Sequence, residues 1–248
     1  MIRFPCLAAA TCGGLVFIAS PALAQPAPSF LLEVETDHRE RGLSGSSGKP
    51  ALAASVSIPV SYDLALDVGA VSLRDSARHG GADIGIAVAP RYTLRHGGWD
   101  FTAGVRAQVF VGRAGTSYAE ITGEVARTLG PAQLVVGAAF APAQDAIGGS
   151  NLYLDAQLSA GIPGTPITIY GGLGHTSGSS RGDARAARLR PGGDYLDHHV
   201  GAEYAEGKIA VGLRYSGTSI GADEVDPLSP WTDRHHGGRI MGYLRFTP

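Results

Sequence analysis

Apolar and polar side chains alternate along most of this chain with a period of two. In "NLYLDAQLSAGI" one face carries Leu152, Leu154, Ala156, Leu158, Ala160 and Ile162, and the other Asn151, Tyr153, Asp155, Gln157, Ser159 and Gly161. "DFTAGVRAQVFV" sets Phe101, Ala103, Val105, Ala107, Val109 and Val111 against Asp100, Thr102, Gly104, Arg106, Gln108 and Phe110. "KIAVGLRYS" opposes Ile209, Val211, Leu213 and Tyr215 to Ala210, Gly212, Arg214 and Ser216. This is the repeat of a β-strand, whose successive side chains point to opposite faces. Runs of ~10 residues with one wholly apolar face exceed the ~5–6 of a soluble strand and match a tilted strand that crosses a membrane.

The same rule predicts about twelve strands, beginning near Phe30, Ala51, Tyr62, Ala82, Trp99, Tyr118, Ala132, Asn151, Thr165, Asp194, Lys208 and Arg239. The connections between them alternate in length. "RERGLSGSSGK", "RDSARHGGA", "GRAGTS", "APAQDAIGGS", "TSGSSRGDARAARLRPGG" and "SGTSIGADEVDPLSPWTDRHHGG" interleave with the short "PVS", "RHGG", "LGPA", "PGT" and "AEG". A soluble sandwich has no reason to sort its loops this way. An up-and-down barrel in an outer membrane does, with short turns towards the periplasm and long loops outside. The predicted fold is all-β, a transmembrane up-and-down antiparallel barrel of about twelve strands over residues 25–248. Residues 40–49 become its first extracellular loop. Phe30, Tyr92, Trp99, Phe101, Phe140, Tyr204, Tyr215 and Phe246 fall near strand ends, the heights of the two interfacial girdles. Pro90 sits mid-strand in "IAVAPRYTL" and predicts a bulge or an early strand end, because it removes a ladder donor.

Met1–Ala24 fits a secretory signal peptide: Arg3, an apolar stretch through Leu15–Ile18, then Ala22-Leu23-Ala24 as the cleavage signature. Both cysteines, Cys6 and Cys12, lie inside it. The exported part therefore has no disulfide and no thiolate metal site. No later apolar run approaches the ~18 residues of a membrane helix. A net charge of −2 gives no basic excess for nucleic acid. The expected location is the outer membrane of a Gram-negative bacterium. The expected partners are outer-membrane lipids, small hydrophilic solutes or ions, and the barrel-assembly machinery during biogenesis. No cofactor is expected.

"TDHRERGLSGSSGKPALAAS" resembles the N-terminal signature of the TorF family of porins, in which an extended stretch with alternating Arg leads through a short polar loop to Pro-Ala and the second strand. Asp37, Arg39, Arg41, Gly42, Ser44, Lys49, Pro50 and Ala51 carry the match. "YAEITGEV", "SNLYLDAQLSAGIPGTPITIYGGLGH" and "DYLDHHVGAEYAEGKIAVGLRYSGT" are similar to later strands of that family. Its Gly-x-Trp stretch has no counterpart in "DVGAVSLRD". The resemblance implies an outer-membrane barrel acting as a channel, with no particular solute.

A second class of activity has to be weighed. "GHTSG" places His175 and Ser177 two apart on one strand, both on the outward parity. Such a pair resembles the dyad of outer-membrane phospholipase A and lipid A deacylase, with His as general base for the Ser nucleophile. Those enzymes follow the Ser with Asn, where this chain has Gly178, and His198 on the next strand is no ready orienting group. Asp197 and His199 share the inward face, and His235 and His236 lie in a loop beside Asp233. Neither set has a third fixed ligand, so no metal site is expected.

The inward parity defines the expected pore lining. Its acids are Glu33, Glu35, Asp37, Asp63, Asp67 and Asp83 on the early strands. Asp100, Glu120, Glu124 and Asp155 follow in the middle, with Asp197 and Glu203 later. The basic groups are Arg91, Arg106, Arg214, Arg239 and Arg245, joined by Arg39, with His199 on the same face. Closing the barrel should bring Arg239 and Arg245 against the Glu33–Asp37 stripe. The remaining excess of acids implies a weak preference for cations in a channel for passive diffusion.

Overall fold

The alternation becomes a closed wall in the computed structural model, which describes residues 27–226 and 228–248. The predicted signal peptide and both cysteines lie outside the described residues. Twelve antiparallel strands form the barrel: β1 (Ser29–Glu35), β4 (Ala51–Pro59), β5 (Leu64–Ser76), β6 (Ala82–His96), β7 (Trp99–Phe110), β8 (Tyr118–Leu129), β9 (Ala132–Gln144), β10 (Gly149–Gly161), β11 (Ile167–Ser177), β12 (Tyr195–Glu206), β13 (Ile209–Thr218) and β14 (Arg239–Phe246). The expected starts fall within two residues of these. A two-residue pair, β2 (Arg39–Glu40) and β3 (Leu43–Ser44), forms a separate hairpin in the first long loop.

Each strand pairs with its chain neighbours, and β1 closes the ring against β14. The short turns, at 60–63, 97–98, 130–131, 162–166 and 207–208, all fall at one end. Gly97 and Gly98 show why these turns can be tight. Both have positive φ (59° and 79°), the two-residue hairpin geometry that matches the twist of the flanking strands. The other connections gather at the opposite end: L1 (36–50), L2 (77–81), L3 (111–117), L4 (145–148), L5 (178–194) and L6 (219–238). Of these, L2 and L4 are as short as the turns, because β5, β6, β9 and β10 run on into the stretches expected to be loop.

The outward face is apolar on every barrel strand. Leu32, Leu52, Leu64, Leu94, Val105, Ile121, Val136, Leu154, Leu173, Val200, Leu213 and Leu244 are all exposed. A band of large apolar side chains this extensive is unstable against water and suited to lipid. Phe30, Tyr92, Phe101, Tyr204 and Phe246 are exposed towards the short-turn end, Phe140 and Tyr215 towards the other. The inward face carries the charged and small residues.

Pro90 departs from expectation: β6 neither bulges nor stops there. Pairing to β5 continues through Leu66↔Pro90, while pairing to β7 lapses at Ala89 and Pro90 and resumes in the same register at Arg91↔Gly104. Gly104 allows the close approach, since a Cβ there would sit 2.6 Å from the Pro90 carbonyl oxygen. The irregularity of this region lies instead near the top of β5. Arg74 and Asp75 take left-handed φ (53° and 61°) and the register shifts between Ser72 and Ser76.

The seam between the chain's two ends is charged. Glu33 faces Arg245 in register, and Arg245 donates to Glu33 and to Glu203, each at 2.8 Å. Arg239 lies 3.7 Å from Asp37. Removing one partner of a buried pair leaves an uncompensated charge, which costs about 3–5 kcal/mol. Arg245→Ala should therefore lower the temperature at which the folded barrel unfolds on semi-native gels. Arg239→Ala should change it less, since Arg239 is itself largely exposed, lies 3.7 Å from Asp37, and leaves Asp37 paired with Arg39. Equal shifts would contradict this account of the seam.

Candidate functional site

The lumen holds a cavity of about 320 Å³ lined by side chains from the barrel strands and from the underside of the L1 hairpin. Its walls differ in how their charges are balanced. On the seam side the groups are linked. The Tyr170 hydroxyl donates to Tyr243 at 3.0 Å, Tyr243 donates to Glu203 at 2.8 Å, and Arg245 joins Glu203 to Glu33. Glu35 accepts from Arg214 at 3.3 Å and meets the His38 ring at 2.5 Å. Across the lumen, Arg91 pairs with Asp67 at 2.6 Å. Beyond it β7, β8 and β10 present Asp100, Arg106, Glu124 and Asp155 to the cavity. Glu124 lies within electrostatic reach of Arg91, Arg106, Asp100 and Asp155.

The L1 hairpin is the ceiling. Although its sequence reads as a solvated loop, it folds inward: Asp37, Leu43, Ser44 and Ser46 have no exposed surface. Four anchors hold it. Arg41 reaches across to Glu120 on β8, with both carboxylate oxygens at 2.8 Å, and stacks over the Tyr153 ring at 4.6 Å. Tyr195 donates to the Arg41 carbonyl at 2.9 Å. Arg39 pairs with Asp37 at 2.9 Å and donates to the Gly237 and His235 carbonyls of L6. Asp37 also accepts from Ser44 and Ser46. Burial alone would lower the Arg41 pKa, but the Glu120 and Glu40 carboxylates outweigh it and hold the guanidinium charged. Gly42 completes the fit. It has a φ of +75°, and a Cβ there would lie 2.5 Å from Thr218 and 2.9 Å from Asp197.

Above the hairpin the remaining loops interlock. Arg78 donates to the Arg188 and Leu43 carbonyls, and Arg188 donates to those of Arg78, Thr116 and Ala146. Arg188 lies among the rings of Phe110, Tyr118 and Trp231. Burial, then the nearby Arg78, brings its pKa down to about 10. His79 stacks on Phe110 at 4.4 Å, and burial beside two arginines keeps it well below the usual imidazole value. Ser44 donates its N–H to Asp233 at 2.8 Å, tying L1 to L6.

The structure separates the expected pore-lining residues. Glu33, Glu35, Asp67, Arg91, Asp100 and Arg106 line the cavity, as do Glu124, Asp155, Asp197, His199, Arg214 and Arg245. Asp37 and Glu120 are consumed by the hairpin, and Glu203 by the seam network. Asp63 pairs with Arg95 at the short-turn end, Arg239 reaches Asp37, and Asp83 is exposed near the other rim. The residues that the inward parity missed are Arg41 and the rest of L1 beyond Asp37 and Arg39, and the lumenal tyrosines Tyr170 and Tyr243. The quoted TorF-like stretch does contain the hairpin, though nothing in it says the loop turns inward.

His175 is exposed on the outer wall and Ser177 half-buried beside it. His175 is flanked across the strands by Leu154 and Leu196, and Ser177 by Leu152, so no acid or amide stands where the ring would need orienting. His198 turns outward onto Tyr215. Among the described residues no group of three or more His, Cys, Asp or Glu is placed to hold a metal ion.

A closed antiparallel wall, apolar outside and charged within, defines the porin-like class of barrels. Solved structures share the fold. The KdgM porin aligns with a TM-score of 0.56 at 8% identity, over 88% of this chain and 98% of that one. The KdgM porin in complex with disordered oligogalacturonate aligns at 0.55 and 8% identity, over 89% and 98%. The NanC porin aligns at 0.55 and 8% identity, over 88% and 97%. No curated protein matches the chain. The chain belongs to the family described as "Bacterial protein of unknown function (Gcw_chp)", whose model matches residues 29–227.

If Arg41–Glu120 holds the hairpin down, Glu120→Gln should loosen it. A Ser46→Cys probe in the parent should react slowly with a membrane-impermeant maleimide, because Ser46 is fully buried. Adding Glu120→Gln should raise the rate by about tenfold or more, in line with the cost of breaking a buried pair. An unchanged rate would show that the other anchors suffice.

Proposed function

We propose that this protein is an outer-membrane channel for passive diffusion of small hydrophilic solutes or ions, with a weak cation preference. The observation that carries the reading is the charge-lined cavity of about 320 Å³ inside a wall whose other face is apolar. A polar interior of that size has no role in packing, because a barrel built only for stability would fill it with side chains. Placement in the outer membrane follows from the apolar belt and from the signal peptide expected at Met1–Ala24. The lipids around the belt and the machinery that inserts barrels are then its partners. The quoted TorF-like residues favour the same role. The L1 hairpin makes the pathway narrow, so small currents fit better than those of a wide general pore.

The cation preference rests on where charge is left over. Arg245 and Arg214 offset the acids of the seam, and Arg41 offsets Glu120. Asp155 and Asp197 have neutral hydrogen-bond partners instead: Gln157 and Tyr153. Their negative charge is focused by the low-dielectric wall and attracts cations. No observation favours the lipid-hydrolase reading, since the leucines beside His175 leave it without an orienting group.

Refolded protein in planar bilayers should show discrete ohmic openings. Reversal potentials across a KCl gradient should be cation-selective at low salt and fade as salt rises and screening shortens. Ser177→Ala should leave conductance unchanged. Silence in the bilayer together with an esterase activity that Ser177→Ala removes would overturn the channel reading. An anion preference at low salt would overturn its selectivity.

A further inference from the structure

One hydrogen-bonded row of the wall has an unusual order. From β8 to β12 the residues in register, Glu124, Gly137, Asp155, Gly174 and Asp197, alternate acid with glycine. Thr102 precedes the row and Thr218 follows it. Neighbouring strands lie ~4.8 Å apart, so successive acids are separated by about 10 Å of backbone. The strands of such barrels tilt by ~35–45°, so the row winds around the lumen and each acid stands about 6 Å further along the axis than the last. The three carboxylates form a spiral along the pathway.

The glycines shape it. Asp155 Oδ1 lies 2.6 Å from where a Gly137 Cβ would be, and Asp197 Oδ2 lies 2.4 Å from where a Gly174 Cβ would be. Each aspartate therefore leans over the glycine that separates it from the next acid. Asp197 is 4% exposed, and its Oδ2 has no hydrogen-bond partner among the described residues. Its other oxygen accepts from the Tyr153 hydroxyl at 3.3 Å, and Asp155 accepts from the Gln157 amide at 2.9 Å. Neutral donors hold these carboxylates in place without cancelling their charge. Arg91 and Arg106 lie near Glu124, and Arg41, already committed to Glu120 and stacked on Tyr153, lies within electrostatic reach of Asp197. A buried carboxylate oxygen with no partner, on a row of evenly spaced charges along a cavity, calls for a cation from outside the protein.

We propose that the Glu124–Asp155–Asp197 row is a binding track for linear polyamines. A single small cation neutralises one rung. A flexible chain of ammonium groups can meet several at once, and the second contact then costs little more than the first, as in any tethered ligand. The inference deepens the channel reading and rests on it for its role in passage.

Calorimetric titration of the refolded, detergent-solubilised protein with spermine measures the track whether or not the protein conducts. Spermine should bind at low salt, more tightly than a monoamine of similar length, and lose most of its affinity in 1 M KCl, where the screening length is about 3 Å. Asp155→Asn and Asp197→Asn keep the side-chain shape. Each should weaken spermine binding by about tenfold, the effect of losing one close charge contact. Asp83→Asn, an exposed acid off the row, should have no effect. In bilayers spermine should reduce the parent's potassium current far more than that of the double variant. Binding that survives in the double variant, or falls equally in Asp83→Asn, would overturn the track. Normal channel openings without spermine binding would sink the track and leave the channel. Spermine binding without any conductance would support the track and sink the channel.

Discussion

The pairing of β1 with β14 is the constraint on which the rest depends. Hydrocarbon offers no partners to a backbone amide, and each one left unpaired there costs several kcal/mol. A sheet with this apolar outer face must therefore close. Closure brings residues from opposite ends of the chain into register, Glu33 against Arg245 and Glu35 against Tyr243. Once that seam is set, the interior rows follow, because every other strand pairs with its chain neighbours. The salt-linked tyrosines and carboxylates on the seam and the acidic spiral on the far wall both follow from one register.

Closure also creates a problem that the loops resolve. A charged lumen open at both ends would leave groups such as Glu120 solvated and mobile. The L1 hairpin lowers Arg41 onto Glu120 and seals its own upper surface with Leu43, Tyr195 and Ile220. Burying arginines is expensive unless their donors are used. Arg78 and Arg188 use theirs on loop carbonyls, each accepting from the other's guanidinium. Two cations side by side would repel, and the aromatic rings around Arg188 and the Asp233 carboxylate near Arg78 offset that. The loops at this end are thus cross-linked by hydrogen bonds as well as packed.

The wall was legible in the sequence because lipid enforces a strict period of two. Strand starts such as Ala51, Ala82 and Tyr118 could be read from pattern alone, as could the long first, fifth and sixth loops, whereas the stretches expected to be loop around 77–81 and 145–148 are partly strand. Pro90 misled because a barrel strand has two neighbours and can lose a rung with one while keeping the other. The inward fold of L1 was not legible, since its local composition is that of a solvated turn. What decides its position is Glu120, Tyr195 and Asp233, all far away in sequence. Parity likewise placed Asp63 and Asp83 on the inward face but could not give their height. Both stand near the rims, where the lumen ends.

For a channel of the proposed kind, a carboxylate's partner matters more than its burial. Glu203 and Asp197 are almost equally buried, at 2% and 4% exposure. Glu203 meets a guanidinium, so from the cavity the pair is a dipole whose field falls off quickly. Asp197 meets a phenol, which stabilises the carboxylate by donating a hydrogen bond but adds no opposing charge. Its charge is not paired with a guanidinium, and in a low-dielectric enclosure the field of such a group is felt over several ångströms. The same contrast holds between Glu33 with Arg245 and Asp155 with Gln157. The distinction between a wall whose charges are paired and a wall whose charges face the cavity is therefore drawn by the donor each acid received. That choice rests on a few positions: Arg245 against Gln157, and Arg214 against Tyr153.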